Sequence, residues 1–122
     1  YLRSLIMELI GEAKLIRIFI GESDKLDSVP LFEKIVIEAK KQGLAGATVY
    51  RGIMGFGRNS RIHTAKILRL SEDLPVIIEI VDEHHKIESF LPALDNIFTQ
   101  ANNGGLVTIE KADIIKYTKT KK

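Results

Sequence analysis

The sequence predicts an α+β fold, one antiparallel sheet with two helices on a single face. Runs rich in apolar and β-branched residues recur at Lys14–Ile20, Ala45–Met54, Pro75–Val81 and Leu106–Tyr117. Two stretches between them, Val29–Gln42 and Glu83–Thr99, repeat their apolar residues at helical rather than strand spacing. The 122 residues show no internal repeat and no low-complexity linker, and they suffice for one domain with its own core.

Met7 followed by Glu8 reads as a start position with residues 1–6 upstream of it, and residues 1–13 are an N-terminal extension or the beginning of the first strand. Lys14–Ile20 is mostly apolar, which suits a central place in a sheet. Gly21 ends it. The loop Glu22–Asp27 is polar, and Ser28 is placed to cap the helix that follows, with Pro30 in its first turn. That helix, Val29–Gln42, carries Leu31, Phe32, Ile35, Val36 and Ala39 on one face, and Gly43 closes it. Ala45–Met54 then completes a βαβ unit with a right-handed crossover. Ile62–Leu70 reads as a short strand or arm, and Ser71-Glu72-Asp73 as a turn. After the third strand, Asp82 is expected to cap the helix Glu83–Thr99, whose apolar face is Ile87, Phe90, Leu91, Leu94, Ile97 and Phe98. Pro92 should kink that helix or split off its first turn. Asn102-Asn103-Gly104-Gly105 is a turn, and Leu106–Tyr117 is a strand, or two short ones broken near Lys111. The order β-α-β-β-α-β is the ferredoxin-like split βαβ plan. It predicts a single domain over residues 14–117, followed by a lysine-rich tail at 118–122.

Hydrophobic content of 45% and charge of 28% are those of a soluble globular protein. No apolar run reaches the ~18 residues that span a bilayer, and no secretory signal is recognisable, so the expected compartment is the cytoplasm. Zero cysteines exclude disulfides, thiolate metal sites and a cysteine nucleophile.

The chemistry concentrates in Gly43–Thr64. Five of nine glycines (Gly43, Gly46, Gly52, Gly55 and Gly57) fall within fifteen residues there. From Ala39 to Ser71 there is no Asp or Glu, but there are seven cations: Lys40, Lys41, Arg51, Arg58, Arg61, Lys66 and Arg69. The whole chain is +2, so the remainder sums to −5. Such a split indicates a local anion site. Glycines let backbone N–H groups approach phosphate oxygens, and arginines supply paired donors. Arg58, after two glycines and before Asn59, suits phosphate capture best. Arg51, on an alternating strand, faces solvent by default.

Catalysis has little support. No nucleophile elbow, Ser/His/Asp set or His-Glu metal motif is present, so the chain reads as a non-enzyme. His84 and His85 begin a helix and point about 100° apart, so they do not converge on one ion. Glu22 and Asp24 read as a solvated acidic loop tip.

With that order in hand, Gly46-Ala47-Thr48-Val49, then Gly55-Phe56-Gly57-Arg58 and His63-Thr64, resemble the PII signal-transduction proteins. In that family a strand runs into a GFGR sequence at the base of a flexible T-loop. The likeness continues through VIIEIVDEHHKIESF and Asn103-Gly104-Gly105, which is similar to the glycine-rich B-loop, and so covers Lys14 to Tyr117. RIFIGESDK, GLAGATVYRGIMGFG, SRIHTAKILRLSEDLPVIIEIVD and GLVTIEKADII resemble more closely the PII-like family known as domain of unknown function 190.

The resemblance implies a PII-like homotrimer that binds an adenine nucleotide (AMP, ADP or ATP, with or without Mg) between subunits, with no redox cofactor. It would signal through the loop at residues 55–74 to a partner such as a membrane transporter or channel. Carried over, Thr48 would lie near the adenine, and Gly55, Gly57 and Arg58 near the phosphates. Phe56 of the same GFGR sequence and Arg61 of the basic loop join that nucleotide-binding set. Gly104 and Gly105 would be the B-loop contribution, and Lys116 a cation of the closing strand. Leu106 stands where PII proteins carry a B-loop lysine, and Thr118 where they carry a late arginine. No tyrosine lies between Phe56 and Pro75 to be uridylylated.

Two rivals differ in class. A trimeric metal-binding protein of the copper-tolerance type shares the fold, but the chain has no Cys and three His. A nucleic-acid binder would use the basic loop, where Tyr50 and Phe56 alone offer stacking platforms, so nucleic acid is the less favoured partner.

Overall fold

The computed structural model describes residues 11–56, 63–64 and 73–118. Gly11–Gly21 forms β1, the pair Lys25–Leu26 and Val29–Pro30 forms the short hairpin β2–β3, and Leu31–Lys41 forms α1. Thr48–Arg51 is β4, Met54–Gly55 is β5, His63–Thr64 is β6 and Pro75–Asp82 is β7. His84–Ala101 forms α2 and Leu106–Ile114 forms β8. The main sheet has the order β4-β7-β1-β8, every neighbour antiparallel, which is the ferredoxin-like arrangement.

Alternation sets the two faces of this sheet. Ile16, Ile18 and Ile20 of β1 lie beside Ile80, Ile78 and Val76 of β7, and all six are buried against the helices. The helices supply Leu31, Ile35 and Ala39 from α1 and Ile87, Phe90 and Leu94 from α2, each set at helical spacing. Each buried aliphatic side chain is worth about 1.5–3 kcal/mol. A one-residue slip of β1 would replace Ile18 by Arg17 in the core, so the register is strongly specified.

Local chemistry differs from expectation at both helix starts. Ser28 does not cap α1. It sits with Asp27 in the two-residue turn of β2–β3, at φ values of 54° and 68°, the sign pattern of a type I′ turn. Pro30 takes the cap position without a side-chain bond, and the Leu31 N–H donates instead to the Asp24 carbonyl. Asp82 likewise does not cap α2, whose cap position is Glu83. The C-termini follow the expected rule. Gly43, at φ 77°, donates to the Lys40 carbonyl and Leu44 to Ala39, a Schellman closure. Asn102, at φ 50°, closes α2 in the same way through Thr99 and Phe98. Helix α2 is continuous through Pro92.

The expected strand Ala45–Met54 is shorter and divided. Only Thr48–Arg51 pairs with β7, because β7 begins at Pro75, whose ring lies 2.8 Å from where a Gly52 Cβ would stand. After Gly52 donates its N–H to the Pro75 carbonyl, Met54–Gly55 pairs with His63–Thr64 instead. The closing strand is unbroken at Lys111, since it pairs with β1 along its whole length, from Phe19↔Leu106 to Gly11↔Ile114. No described helix is long and apolar enough to cross a membrane.

Candidate functional site

Thr48 opens β4, exposed and opposite Glu79 of β7. Gly55 lies on β5 with Pro75 behind it, and Phe56 is 71% exposed. Gly57, Arg58 and Arg61 lie outside the described residues, as do most of the basic loop, residues 1–10 and 119–122. Of the expected arm Ile62–Leu70, His63–Thr64 is the described part. Gly104 and Gly105 join α2 to β8, and Lys116 is exposed beyond β8.

These glycines do different work. A Cβ on Gly105 would meet the Phe98 ring at 2.8 Å and the Phe19 carbonyl at 3.1 Å, so close packing explains that position. One on Gly55 would stand 3.0 Å from the Pro75 ring. Nothing lies within 4 Å of the corresponding points on Gly46 and Gly104, so a side chain there would meet open space.

The described candidate residues do not gather at one place within the chain. Gly55 and Gly104–Gly105 reach the end of the sheet marked by Gly21 and Pro75, but on opposite edges, with β7 and β1 between them. Three interstrand steps make that separation roughly 14 Å. Lys116 lies past the far end of β8, whose nine residues span roughly 30 Å. Two shallow apolar hollows flank the edges. One, about 260 Å³, is lined by Phe32, Glu33, Val36, Ile37 and Val49. The other, about 230 Å³, lies beside β8 and α2. No described candidate residue lines either.

The acidic loop after β1 is engaged rather than solvated. Glu22 pairs with Arg51 at 2.6 Å. Asp24 accepts the Gly21 N–H at 2.8 Å and the Asn103 amide at 2.9 Å, which ties the Gly104–Gly105 turn to this loop. Among the described residues no group of three His, Cys, Asp or Glu is arranged for a metal, and His85 sits 3.2 Å from Glu83.

A polar network on the face away from the helices was not anticipated. Arg17 donates to Glu79 at 2.8 Å and to Glu110 at 2.9 Å, and the Tyr50 hydroxyl donates to Glu79 at 2.8 Å. The bonds from Arg17 and then Tyr50 hold the Glu79 carboxyl below its usual range. The bond to Glu79 raises the Tyr50 phenol and the Arg17 guanidinium above theirs. The available signal was one charge inside each apolar run, Arg17 in KLIRIFI and Glu79 in PVIIEIV. The loop before β4 is held from three sides. Lys86 donates to the Gly43 carbonyl at 3.2 Å, Asp82 accepts the Ala45 N–H at 2.8 Å, and the Tyr117 hydroxyl donates to the Ala45 carbonyl at 2.8 Å.

Against known proteins, the family model DUF190, described as an uncharacterized ACR, matches residues 13–114. The chain belongs to the DUF190 family. Among its relatives, a UPF0166 protein of Aquifex aeolicus is 37% identical over 106 residues, covering 87% of this chain and 96% of the relative. A UPF0166 protein of Methanocaldococcus jannaschii is 37% identical over 105 residues, 86% and 94% of the two chains. The fold is PII-like. CPII of Thiomonas intermedia K12, a nitrogen regulatory PII-like protein solved with ADP, AMP and bicarbonate, matches with a TM-score of 0.64 at 14% identity, over 84% of this chain and 88% of CPII. A Thermus thermophilus protein described as PII-like matches at 0.62 and 18%, over 88% and 92%. At these identities the likeness to both structures is one of fold.

Proposed function

We propose that this DUF190 chain is a non-catalytic, cytoplasmic regulatory protein that binds an adenine nucleotide between copies of itself. The observation that carries the proposal is the split of the candidate residues between the two edges of one sheet. Thr48 and Gly55 stand at the β4 edge and Gly104 and Gly105 at the β8 edge, while Lys116 follows β8 on the segment that Tyr117 bonds to the loop before β4. A cleft between neighbouring copies joins such edges, and a homotrimer supplies three of them. The adenine nucleotides bound to CPII, a protein of the same fold, support this choice of ligand.

In this proposal the Gly104–Gly105 turn, with Gly55, Phe56, Gly57, Arg58 and Arg61, takes the phosphates, and Lys116 adds a cation. Thr48 lies near the base. Leu106 and Thr118 stand in place of two phosphate cations of PII proteins, so AMP or ADP should bind better than ATP. Nucleotide would order the loop at residues 55–74, which a partner such as a transporter then reads. A ligand shifts that loop only by its differential affinity for the two states.

The test is a thermal-shift panel of AMP, cyclic AMP, ADP and ATP, with and without magnesium, on the wild type and Arg58→Ala. At about 100 times its dissociation constant a native-state ligand adds about 2.7 kcal/mol, a shift of several degrees. A shift with one nucleotide that Arg58→Ala abolishes supports the proposal. No shift with any of them overturns it.

A further inference from the structure

We propose that Ile115–Thr118 is a strap, latched by the Tyr117 hydroxyl onto the loop that leads into β4, so that the positions of Lys116 and Thr48 become coupled. Pairing between β8 and β1 ends at Ile114↔Gly11. Beyond it the chain turns across the end of the sheet, because Tyr117 reaches Ala45, which lies on the opposite, β4 side. The strap therefore touches the backbone three residues before Thr48.

The two polar groups of Ala45 are held differently. Its N–H is fixed by Asp82, which is 1% exposed and part of the sheet. Its carbonyl is fixed by Tyr117, which is 39% exposed and outside the sheet. One contact is an anchor and the other can open. Packing beside the bond is light, although Leu44 before it rests on the core. Ile115 is 81% exposed, and Gly46 has nothing within 4 Å of its Cβ position. The hydroxyl bond is then the main restraint joining strap to loop, and a typical bond of this kind changes an opening equilibrium about fivefold.

By linkage, whatever orders one side of the latch favours order on the other. That the coupled positions belong to a ligand site rests on the function proposed above; the latch itself does not.

Amide hydrogen exchange on the wild type and Tyr117→Phe, which keeps the ring and removes the donor, tests both parts. Without ligand, the variant should exchange about fivefold faster at residues 45–49 and 115–118, with α2 unchanged. Wild-type exchange at 45–49 in the variant would overturn the latch. With AMP or ADP added, the wild type should gain protection at both segments and Tyr117→Phe at only one. Equal protection at both segments in the variant would overturn the coupling. If the wild type binds neither nucleotide, the proposed function fails, and the unliganded exchange still decides the latch.

Discussion

Arg17 and Glu79 face each other across β1 and β7, joined at 2.8 Å on the sheet face that carries no helix. Tyr50 donates to the same carboxylate oxygen, so three strands meet at one acid. Lone charges in two apolar runs have thus become a cross-strand tie.

That tie predicts an acid-sensitive share of stability. The unfolded carboxyl takes up its proton near the ordinary value of 4.5, while the folded one stays charged to lower pH. The native state then binds fewer protons than the unfolded chain. Stability from Glu79 is therefore present above about pH 4.5 and lost as the pH falls through the folded value. Urea unfolding between about pH 6 and pH 3 should show a steeper decline in the wild type than in Glu79→Gln. Parallel profiles would contradict it.

Asp82→Ala should be strongly destabilising. Its carboxylate accepts the N–H groups of Ala45 and Glu83 at 2.8 and 2.7 Å. Truncation leaves both donors without their partner, a cost of about 2–3 kcal/mol. Roughly 10 °C of melting temperature should be lost. Asp82→Asn, which keeps one acceptor, should lose less. A drop of under about 1 kcal/mol in Asp82→Ala would show that water replaces the carboxylate.

The two glycines before β8 should separate packing from binding. Gly105→Ala drives a methyl into Phe98 and the Phe19 carbonyl and should cost about 1–3 kcal/mol. Gly104→Ala meets nothing and should melt close to the wild type. If nucleotide binds, Gly104→Ala should weaken it without unfolding the chain. Unchanged affinity would remove Gly104 from the site.

Ser28→Gly should stabilise. Ser28 has φ 68°, which costs a residue with a Cβ, and Asp-Gly suits a type I′ turn. A gain of about 0.5–1 kcal/mol is expected, with Ser28→Val moving the opposite way. A loss of stability in Ser28→Gly would mean that the serine hydroxyl contributes more than the turn geometry costs.

Much of the fold was legible in the chain. The apolar runs KLIRIFI and PVIIEIV marked the two central strands, and the spacing Leu31, Ile35, Ala39 marked α1. Gly43 and Asn102 ended their helices where expected or within three residues of it. These features depend on nearest neighbours and on burial of one face, which a sequence carries explicitly. Ser28 and Asp82 were misassigned because both are good N-cap residues, and local propensity cannot see a hairpin or a partner 37 residues away.

The candidate site divides in the same way. Residue types and the resemblance to PII proteins nominated Thr48, the GFGR sequence, the Gly104–Gly105 turn and Lys116. That Gly55 and Gly105 stand against Pro75 and Phe98, while Gly104 is open, required the fold. So did the division of the set between the β4 and β8 edges, and the reach of Tyr117 to Ala45. The sequence by itself determined the order of the main strands and helices and the buried face of each helix, since periodicity and hydrophobic burial act locally. The tertiary structure alone decided which distant residues meet, because strand order and register, closed over long loops, set those distances.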